Sequence, residues 1–144
     1  MVKYFDSAYL AKLYLAEQGS EAVRKLAAPL TAVACCSHGR VELAFVFHRK
    51  LREGAIDTAG LHARMEQVRD DTEQGFLRWL PVDETLIAGA VNAVFSIGQQ
   101  DFLRAADALH LVCAKQNGFK TIYSNDRHLL AGAKRFAIRG RDVN

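Results

Sequence analysis

Short β-prone runs alternate with longer segments of helical periodicity, and this alternation constrains the fold more than any other feature of the sequence. The predicted strands span residues 2–5, 30–34, 77–82, 120–124 and 135–139. The predicted helices span residues 7–17, 20–27, 37–54, 58–76, 84–98, about 104–117 and 126–133. Strands that alternate with helices form parallel sheets with right-handed crossovers, so we predict an α/β fold. We expect residues 1–144 to form one domain, a three-layer α/β/α sandwich with a short, mostly parallel central sheet.

Capping residues mark the ends of several predicted helices. Ser7, Ser20, Asp57 and Asp83 each stand at the start of a helical stretch, where N-cap residues are preferred. Gly118 follows helix 104–117 in the position of a C′ glycine, which supplies a left-handed backbone conformation. These residues define the predicted helix boundaries.

Composition narrows the class of protein further. Half of the 144 residues are hydrophobic and 24% are charged, which is typical of a globular chain that buries a core. No apolar run approaches the roughly 20 residues needed to span a bilayer, and Asp6 interrupts the apolar start that a signal peptide would need. We therefore expect a cytoplasmic protein with no membrane contact. The net charge of +3 mildly favours an anionic partner.

The cysteines do not form a disulfide framework or a zinc motif. Cys35 and Cys36 are adjacent, Cys113 stands alone, and three is an odd number. His38 is too close to the adjacent pair to complete a zinc site with them unaided. We expect all three cysteines to be buried, reduced side chains.

Two aspartates follow predicted strands directly. Asp6 follows strand 2–5 and Asp126 follows strand 120–124 by one residue. Ligands of parallel sheets gather beyond the carboxyl ends of the strands, so these positions favour a functional site. Helix capping is the alternative role for each aspartate.

Two further acids interrupt apolar helical stretches. Asp107 is in line with Leu111 and Ala114 on helix 104–117, and Glu42 shares a face with Phe45 on helix 37–54. Both carboxylates are predicted to point inward, where an unpaired charge is costly. Pairing with a nearby arginine is the alternative explanation, and Arg40 and Arg104 are available.

Taken together, the four acids predict a metal site. Four converging carboxylates would repel one another unless a divalent cation neutralised them. Oxygen ligands favour Mg²⁺, with Mn²⁺ as a substitute, over softer metals. Such a site is suited to metal-assisted hydrolysis of phosphodiesters.

Four segments in a fixed order resemble a known family. They are "FDSAYLAKLY" (5–14), "RVELAFVFHR" (40–49), "LRAADALHLVCA" (103–114) and "YSNDRHL" (123–129). With them the chain resembles the PIN-domain ribonucleases, most closely the VapC-type toxins of type II toxin–antitoxin modules. The departures are "CCSHG" (35–39), which replaces a Ser/Thr-rich segment, together with Asn125 and the basic C-terminal end.

The resemblance implies roles for named residues. Asp6, Glu42, Asp107 and Asp126 would be the catalytic, metal-binding acids, with Glu42 or Asp126 acting through water, and Ser124 would brace the site by hydrogen bonding. The resemblance also implies an RNA substrate, an antitoxin protein that covers the site, and a homodimer. Basic residues near the acids in sequence are candidates for contacts with RNA phosphates: Lys12, Arg40, Arg104 and Arg127.

Other interpretations of the sequence stay open. A PIN-type nuclease in RNA processing, without an antitoxin, would have the same motifs. A non-catalytic α/β binding module, such as a signalling receiver domain, would need paired acids after its first strand, where only Asp6 stands. His110 is predicted to be a hydrogen-bonded core histidine rather than a general base, and His128 is a weaker candidate for moving a proton.

Overall fold

The computed structural model describes residues 1–144 and contains one five-stranded sheet in which all neighbouring strands are parallel. The strands are β1 (Val2–Phe5), β2 (Ala32–Cys36), β3 (Leu77–Leu80), β4 (Thr121–Tyr123) and β5 (Arg139–Arg141). Their order across the sheet is β3-β2-β1-β4-β5. The predicted α/β class and parallel sheet are confirmed.

Seven α-helices connect and cover the strands. They are α1 (Ser7–Tyr14), α2 (Ser20–Ala27), α3 (His38–Arg52), α4 (Thr58–Glu73), α5 (Glu84–Asn92), α6 (Ala105–Gln116) and α7 (Arg127–Ala133). Short 3₁₀ turns follow α5 at Ala93–Phe95 and α7 at Lys134–Phe136. No helix combines the length and apolar character needed to cross a membrane.

The sheet separates two hydrophobic cores, as expected for three layers. Because strand side chains alternate between faces, Phe5 and Cys35 enter the core built with α1 to α4, whereas Tyr4 and Cys36 enter the core built with α5 to α7. All three cysteines are buried and free, as predicted. The sheet that carries the ends of β1 and β4 is therefore packed on both faces.

Several helix boundaries follow the predicted capping residues. The side chain of Asp57 accepts a hydrogen bond from Gly60 N at the start of α4, and that of Asp83 accepts one from Leu86 N at the start of α5. Gly118 has a φ of +78° after α6, as a C′ glycine requires. These three predictions are confirmed.

Two predicted caps are wrong. Asp6, not Ser7, caps α1, because its carboxylate reaches Tyr9 N while Ser7 already has helical geometry. Gly19 with a φ of +85° precedes α2, and Ser20 is the first residue of that helix. The Ser20 hydroxyl instead donates to Leu15 O at 2.7 Å, which ties the two helices together.

The predicted strand at 135–139 is also wrong. α7 continues into the 3₁₀ turn because Phe136 packs into the core, and Ala137 then reverses the chain with a φ of +56°. The last strand therefore begins at Arg139. β2 also lies two residues later than predicted, because Cys35 and Cys36 pair in register with Trp79 and Leu80 of β3.

Candidate active site

The two aspartates predicted at strand ends lie at the topological switch point of the sheet, between β1 and β4. The chain runs from β1 outward through β2 to β3, then returns to the other side of β1 with β4 and β5. Asp6 follows β1, and its backbone N–H donates to Tyr123 O of β4 at 3.1 Å. Parallel sheets bind ligands at such a switch point. The backbone topology therefore brings Asp6, Ser124 and Asp126 to one edge.

Asp6 has both carboxylate oxygens engaged in a buried position. Oδ1 accepts from Tyr9 N at 2.9 Å, and Oδ2 accepts from the Ser124 hydroxyl. The pKa of Asp6 is raised from 3.8 to about 6, chiefly by burial and slightly by the nearby charge of Glu42, while the hydrogen bonds from Ser124 and Tyr9 N oppose the rise. Asp6 is thus a helix cap, the alternative considered above, and also a carboxylate that an added cation would stabilise.

Ser124 connects Asp6 to Asp126. The Ser124 Oγ accepts from Asp126 N at 2.9 Å while its proton is donated to Asp6. Asp126 uses Oδ1 to cap α7, where it accepts from His128 N at 2.8 Å and Leu129 N at 3.1 Å. Its Oδ2 is left to face Arg104. Each strand-end aspartate therefore caps a helix with one oxygen and presents the other to the site.

Arg104 joins Asp107 to Asp126. Its Nε lies 3.1 Å from Asp107 Oδ2, and its Nη2 lies 2.7 Å from Asp126 Oδ2. Asp107 is buried on the first turn of α6, and its Oδ2 also accepts from Arg104 N at 3.2 Å. The inward orientation of Asp107 and its pairing with Arg104 are both confirmed. One guanidinium thus occupies a position between two of the four acids.

Glu42 stands at the border of the site rather than on a buried face. The face of α3 that enters the core carries Leu43 and Phe47, whereas Phe45 is 68% exposed, so the predicted shared inward face with Phe45 is wrong. Glu42 Oε1 instead lies 2.7 Å from His110 Nε2 and 3.3 Å from His38 Nε2. Burial acts to raise the pKa of Glu42, but its contacts with His110, His38 and Ser7 act to lower it, so its pKa lies below the ordinary value.

Sequence reasoning missed the histidines as partners of Glu42. His110 is buried and hydrogen-bonded, as predicted for a core histidine, but one of its bonds is to a candidate site acid. The i,i+4 spacing of His38 and Glu42 on α3 was the available signal for that pair. No sequence pattern links His110 with Glu42, because they lie 68 residues apart.

The four basic candidates have different surroundings. Arg104 contacts two acids, and Arg127 is exposed at the start of α7 without an ion pair. Lys12 is buried, and its Nζ donates to Gln18 O at 2.6 Å and to Glu17 Oε1 at 3.2 Å. Arg40 lies over Trp79, with 5.8 Å between the guanidinium carbon and the ring centroid, and makes no ion pair with the acids. The structure brings only Arg104 into contact with them.

An open groove adjoins the acids. Its volume is about 400 Å³, and its lining includes Ser7, Lys12, Arg49 and Asn125. Glu17 also lines the groove and forms an ion pair with Lys12, so the groove carries charges of both signs. Arg49 was not singled out from the sequence, because it stands seven residues beyond Glu42 in a basic helix end.

The donor set fits a hard divalent cation. Asp6, Asp107, Asp126 and Glu42 supply only carboxylate oxygens, the ligands that Mg²⁺ and Mn²⁺ prefer. The contact of Arg104 with two of them shows that this position already accommodates positive charge. Burial of Asp6 supplies a further reason for a cation to bind there.

Comparison with solved structures shows which proteins share this fold. The Mycobacterium tuberculosis toxin VapC20, described as cleaving the sarcin–ricin loop, superposes with a TM-score of 0.71 at 16% identity, covering 92% of this chain and 95% of that one. FitAB bound to an IR36 DNA fragment gives a TM-score of 0.69 at 17% identity, covering 99% of this chain and 94% of that one. At these identities the likeness is one of fold.

Comparisons of sequence complete the assignment. No curated protein sequence matches this chain significantly. A model of a whole family does match, and it is the PIN domain, aligned over residues 3–135. That span includes all four candidate acids and, apart from Val2, every strand except the last. The chain belongs to the PIN domain family.

Proposed function

We propose that the chain is a Mg²⁺-dependent endoribonuclease that acts as the toxin of a type II toxin–antitoxin system. The observation that carries this proposal is the set of linked contacts that runs from Asp6 through Ser124 to Asp126 and from there through Arg104 to Asp107. Carboxylates distant in sequence are thereby assembled at the strand edge where α/β folds bind ligands. The PIN domain match supports the same conclusion.

The contacts of the four acids, Ser124 and Arg104 lead us to propose a role for each residue. Asp6 and Asp107 would hold the cation directly, and Asp126 and Glu42 would hold it through water or orient the attacking water. When bound, a divalent cation supplies a Lewis acid that lowers the pKa of water and offsets charge on the phosphate. Ser124 holds Asp6 and Asp126 next to each other through its two hydrogen bonds. Arg104 would be available to bind an RNA phosphate when Asp107 and Asp126 hold the cation instead.

The proposed partners follow from the family and from the surface. We infer a homodimer, an antitoxin that covers the acids, and action in the cytoplasm, where released toxin would inhibit growth by cleaving RNA. Exposed Val91 and Val94 line an apolar cavity of about 390 Å³ between α5 and the start of α6, and exposed Phe95 is the next residue of the chain after Val94. An exposed apolar surface of this kind supports a protein–protein contact.

The test compares the wild type with Asp6→Asn. We expect purified wild-type protein to cleave RNA with Mg²⁺ or Mn²⁺ and to lose this activity in EDTA. Asp6→Asn, which can still cap α1, should fold and be inactive. Induction without the neighbouring gene should arrest growth only for the wild type. Cleavage that survives EDTA, or an active Asp6→Asn variant, would refute the proposal, and a folded wild type without cleavage would favour a binding module.

A further inference from the structure

Glu42 receives two imidazole nitrogens at the same carboxylate oxygen. His110 Nε2 is 2.7 Å and His38 Nε2 is 3.3 Å from Glu42 Oε1. The Glu42 side chain is 33% exposed, so without these contacts it would be free to turn toward solvent. The two rings are also in contact with each other, with centroids 4.2 Å apart.

The hydrogen bonds behind His110 indicate which of its nitrogens carries the proton. Cys36 N–H donates to Tyr4 Oη at 3.0 Å, so the Tyr4 hydroxyl proton is free to be donated elsewhere. His110 Nδ1 lies 2.9 Å from Tyr4 Oη, and we assign it as the acceptor of that proton. Nε2 is then the protonated nitrogen and donates to Glu42. Tyr4 is fully buried and His110 is 2% exposed, so water does not compete for these bonds.

His38 is a donor for a separate reason. Its Nε2 lies 3.1 Å from Ala106 O, and a carbonyl oxygen can only accept. The Nε2 proton of His38 is therefore donated to Ala106 O, and Glu42 Oε1 lies 3.3 Å from the same nitrogen. Both imidazoles face Glu42 with N–H groups rather than lone pairs, whereas metal ligation by either Nε2 would require that nitrogen to lose its proton.

We propose that His110 is a positioning residue for Glu42. The relay from Cys36 N–H through Tyr4 Oη and His110 to Oε1 anchors the carboxylate to the backbone of β2, and His38 steadies it from α3. Oε2 lies outside this relay and is left for the cation site. This inference rests on the proposed function to the extent that Glu42 belongs to that site. In this role His110 contacts neither the substrate nor the cation.

The expected benefit of the relay is preorganisation, which means that the Glu42 carboxylate is fixed before the cation binds. A glutamate has several rotatable bonds, and a partly exposed one loses their entropy when it is fixed. A donor that fixes the carboxylate beforehand removes that cost from cation binding. Partners that orient metal ligands change metal affinity by about ten- to a hundredfold when they are removed. We expect a change of that size from loss of the His110 donor.

The first experiment tests the relay by NMR and needs no measurement of enzyme activity. In ¹⁵N NMR of the imidazole rings, His110 should be the neutral tautomer with its proton on Nε2, with its signals identified by their absence in His110→Gln. Tyr4→Phe should shift the Nδ1 signal, because that nitrogen loses its donor. A proton on Nδ1 in the wild type, or an unchanged Nδ1 signal in Tyr4→Phe, would overturn the relay.

The second experiment is a double-mutant cycle with Mn²⁺ affinity measured by calorimetry and kcat and KM measured on RNA. His110→Leu should weaken Mn²⁺ binding about tenfold or more and lower kcat with KM for RNA unchanged. In a Glu42→Gln background the same change should have no further effect. His110→Gln, which keeps a donor nearby, should recover much of the loss. Equal losses in both backgrounds would overturn the proposal.

Controls separate this inference from its alternatives. His48→Gln changes an exposed histidine on the same helix as Glu42 and should leave all readouts unchanged. Visible absorption of imidazole-ligated Co²⁺ that disappears in His110→Gln would show direct ligation and overturn a positioning role. A wild type that neither binds Mn²⁺ nor cleaves RNA would remove the proposed function, while the tautomer measurement would still decide the relay.

Discussion

The Arg104 guanidinium donates to Asp126 across 2.7 Å, so a positive side chain of the protein stands where a catalytic cation is proposed. The same guanidinium reaches Asp107 at 3.1 Å. One arginine therefore links two of the carboxylates that would hold the cation. Because the Arg104 side chain is 61% exposed, we expect it to move into solvent when a divalent cation binds to these carboxylates.

Replacing Arg104 should strengthen cation binding. An exposed ion pair is worth at most about 1 kcal/mol, which corresponds to about a fivefold change in Kd. We expect Arg104→Gln to bind Mn²⁺ about fivefold more tightly than the wild type in calorimetry, because the competing charge is gone. RNA binding by the same variant should weaken and depend less on salt.

Arg127→Gln is the matched control for Arg104→Gln. Arg127 is exposed at the start of α7 and makes no ion pair, so its loss removes one positive charge without freeing a carboxylate. We expect its Mn²⁺ affinity to stay at the wild-type value. Weaker Mn²⁺ binding in Arg104→Gln would mean that the guanidinium holds the acids in place rather than competing for them.

The placement of three of the candidate acids could be predicted because it depends on local rules. Asp6 and Asp126 follow strands that are recognisable from their own residues, and parallel pairing then brings the strand ends together. The inward position of Asp107 followed from helical spacing within one segment. Each of these inferences needed only a few neighbouring residues.

The surroundings of Glu42 could not be predicted because they depend on how separate elements pack. Helical spacing placed Glu42 on the face of Phe45, whereas its actual partner, His110, lies on α6 and is met only through tertiary packing. The last strand was misplaced for a similar reason. "RFAIR" has strand-like composition, yet burial of Phe136 and Ile138 keeps that segment wrapped against α7.

Asp6→Asn should stabilise the protein at neutral pH in the presence of a chelator. A pKa raised from 3.8 to about 6 by burial corresponds to a cost on the order of 3 kcal/mol when the group is ionised. Below about pH 4 the carboxyl is protonated in both states and carries no penalty. Between about pH 4 and 6 only the unfolded chain ionises, so wild-type stability falls as pH rises.

Chemical denaturation across this pH range measures the effect. The stability advantage of Asp6→Asn should be near its maximum at pH 7 and vanish near pH 4. Asp57→Asn is the control, because Asp57 caps α4 at the exposed surface. Added Mn²⁺ should raise the melting temperature of the wild type and not that of Asp6→Asn. A wild type that is already more stable than Asp6→Asn in chelator at pH 7 would contradict the buried-charge explanation.

Phe95→Asp should weaken self-association. Phe95 is 85% exposed and follows Val94, which lines the apolar cavity together with Val91. A charge at Phe95 could not be buried in an interface without a partner. We expect light scattering to show a dimer for the wild type and a monomer for this variant. Phe45→Asp, an exposed phenylalanine on α3, should leave the dimer intact. A monomeric wild type would refute the proposed homodimer.

Gly39→Ala should destabilise the protein even though alanine is the better helix former. A Cβ at Gly39 would lie 2.5 Å from Cys35 Sγ, which is fully buried at the end of β2. Overpacking of this kind costs about 1–3 kcal/mol, and it would also displace the helix turn that carries His38 and Glu42. Adding Cys35→Ala to Gly39→Ala removes the clashing sulfur, so both the free energy of unfolding and nuclease activity should recover toward those of Cys35→Ala alone. If Gly39→Ala is as stable and active as the wild type, close contact between β2 and α3 does not set the position of Glu42.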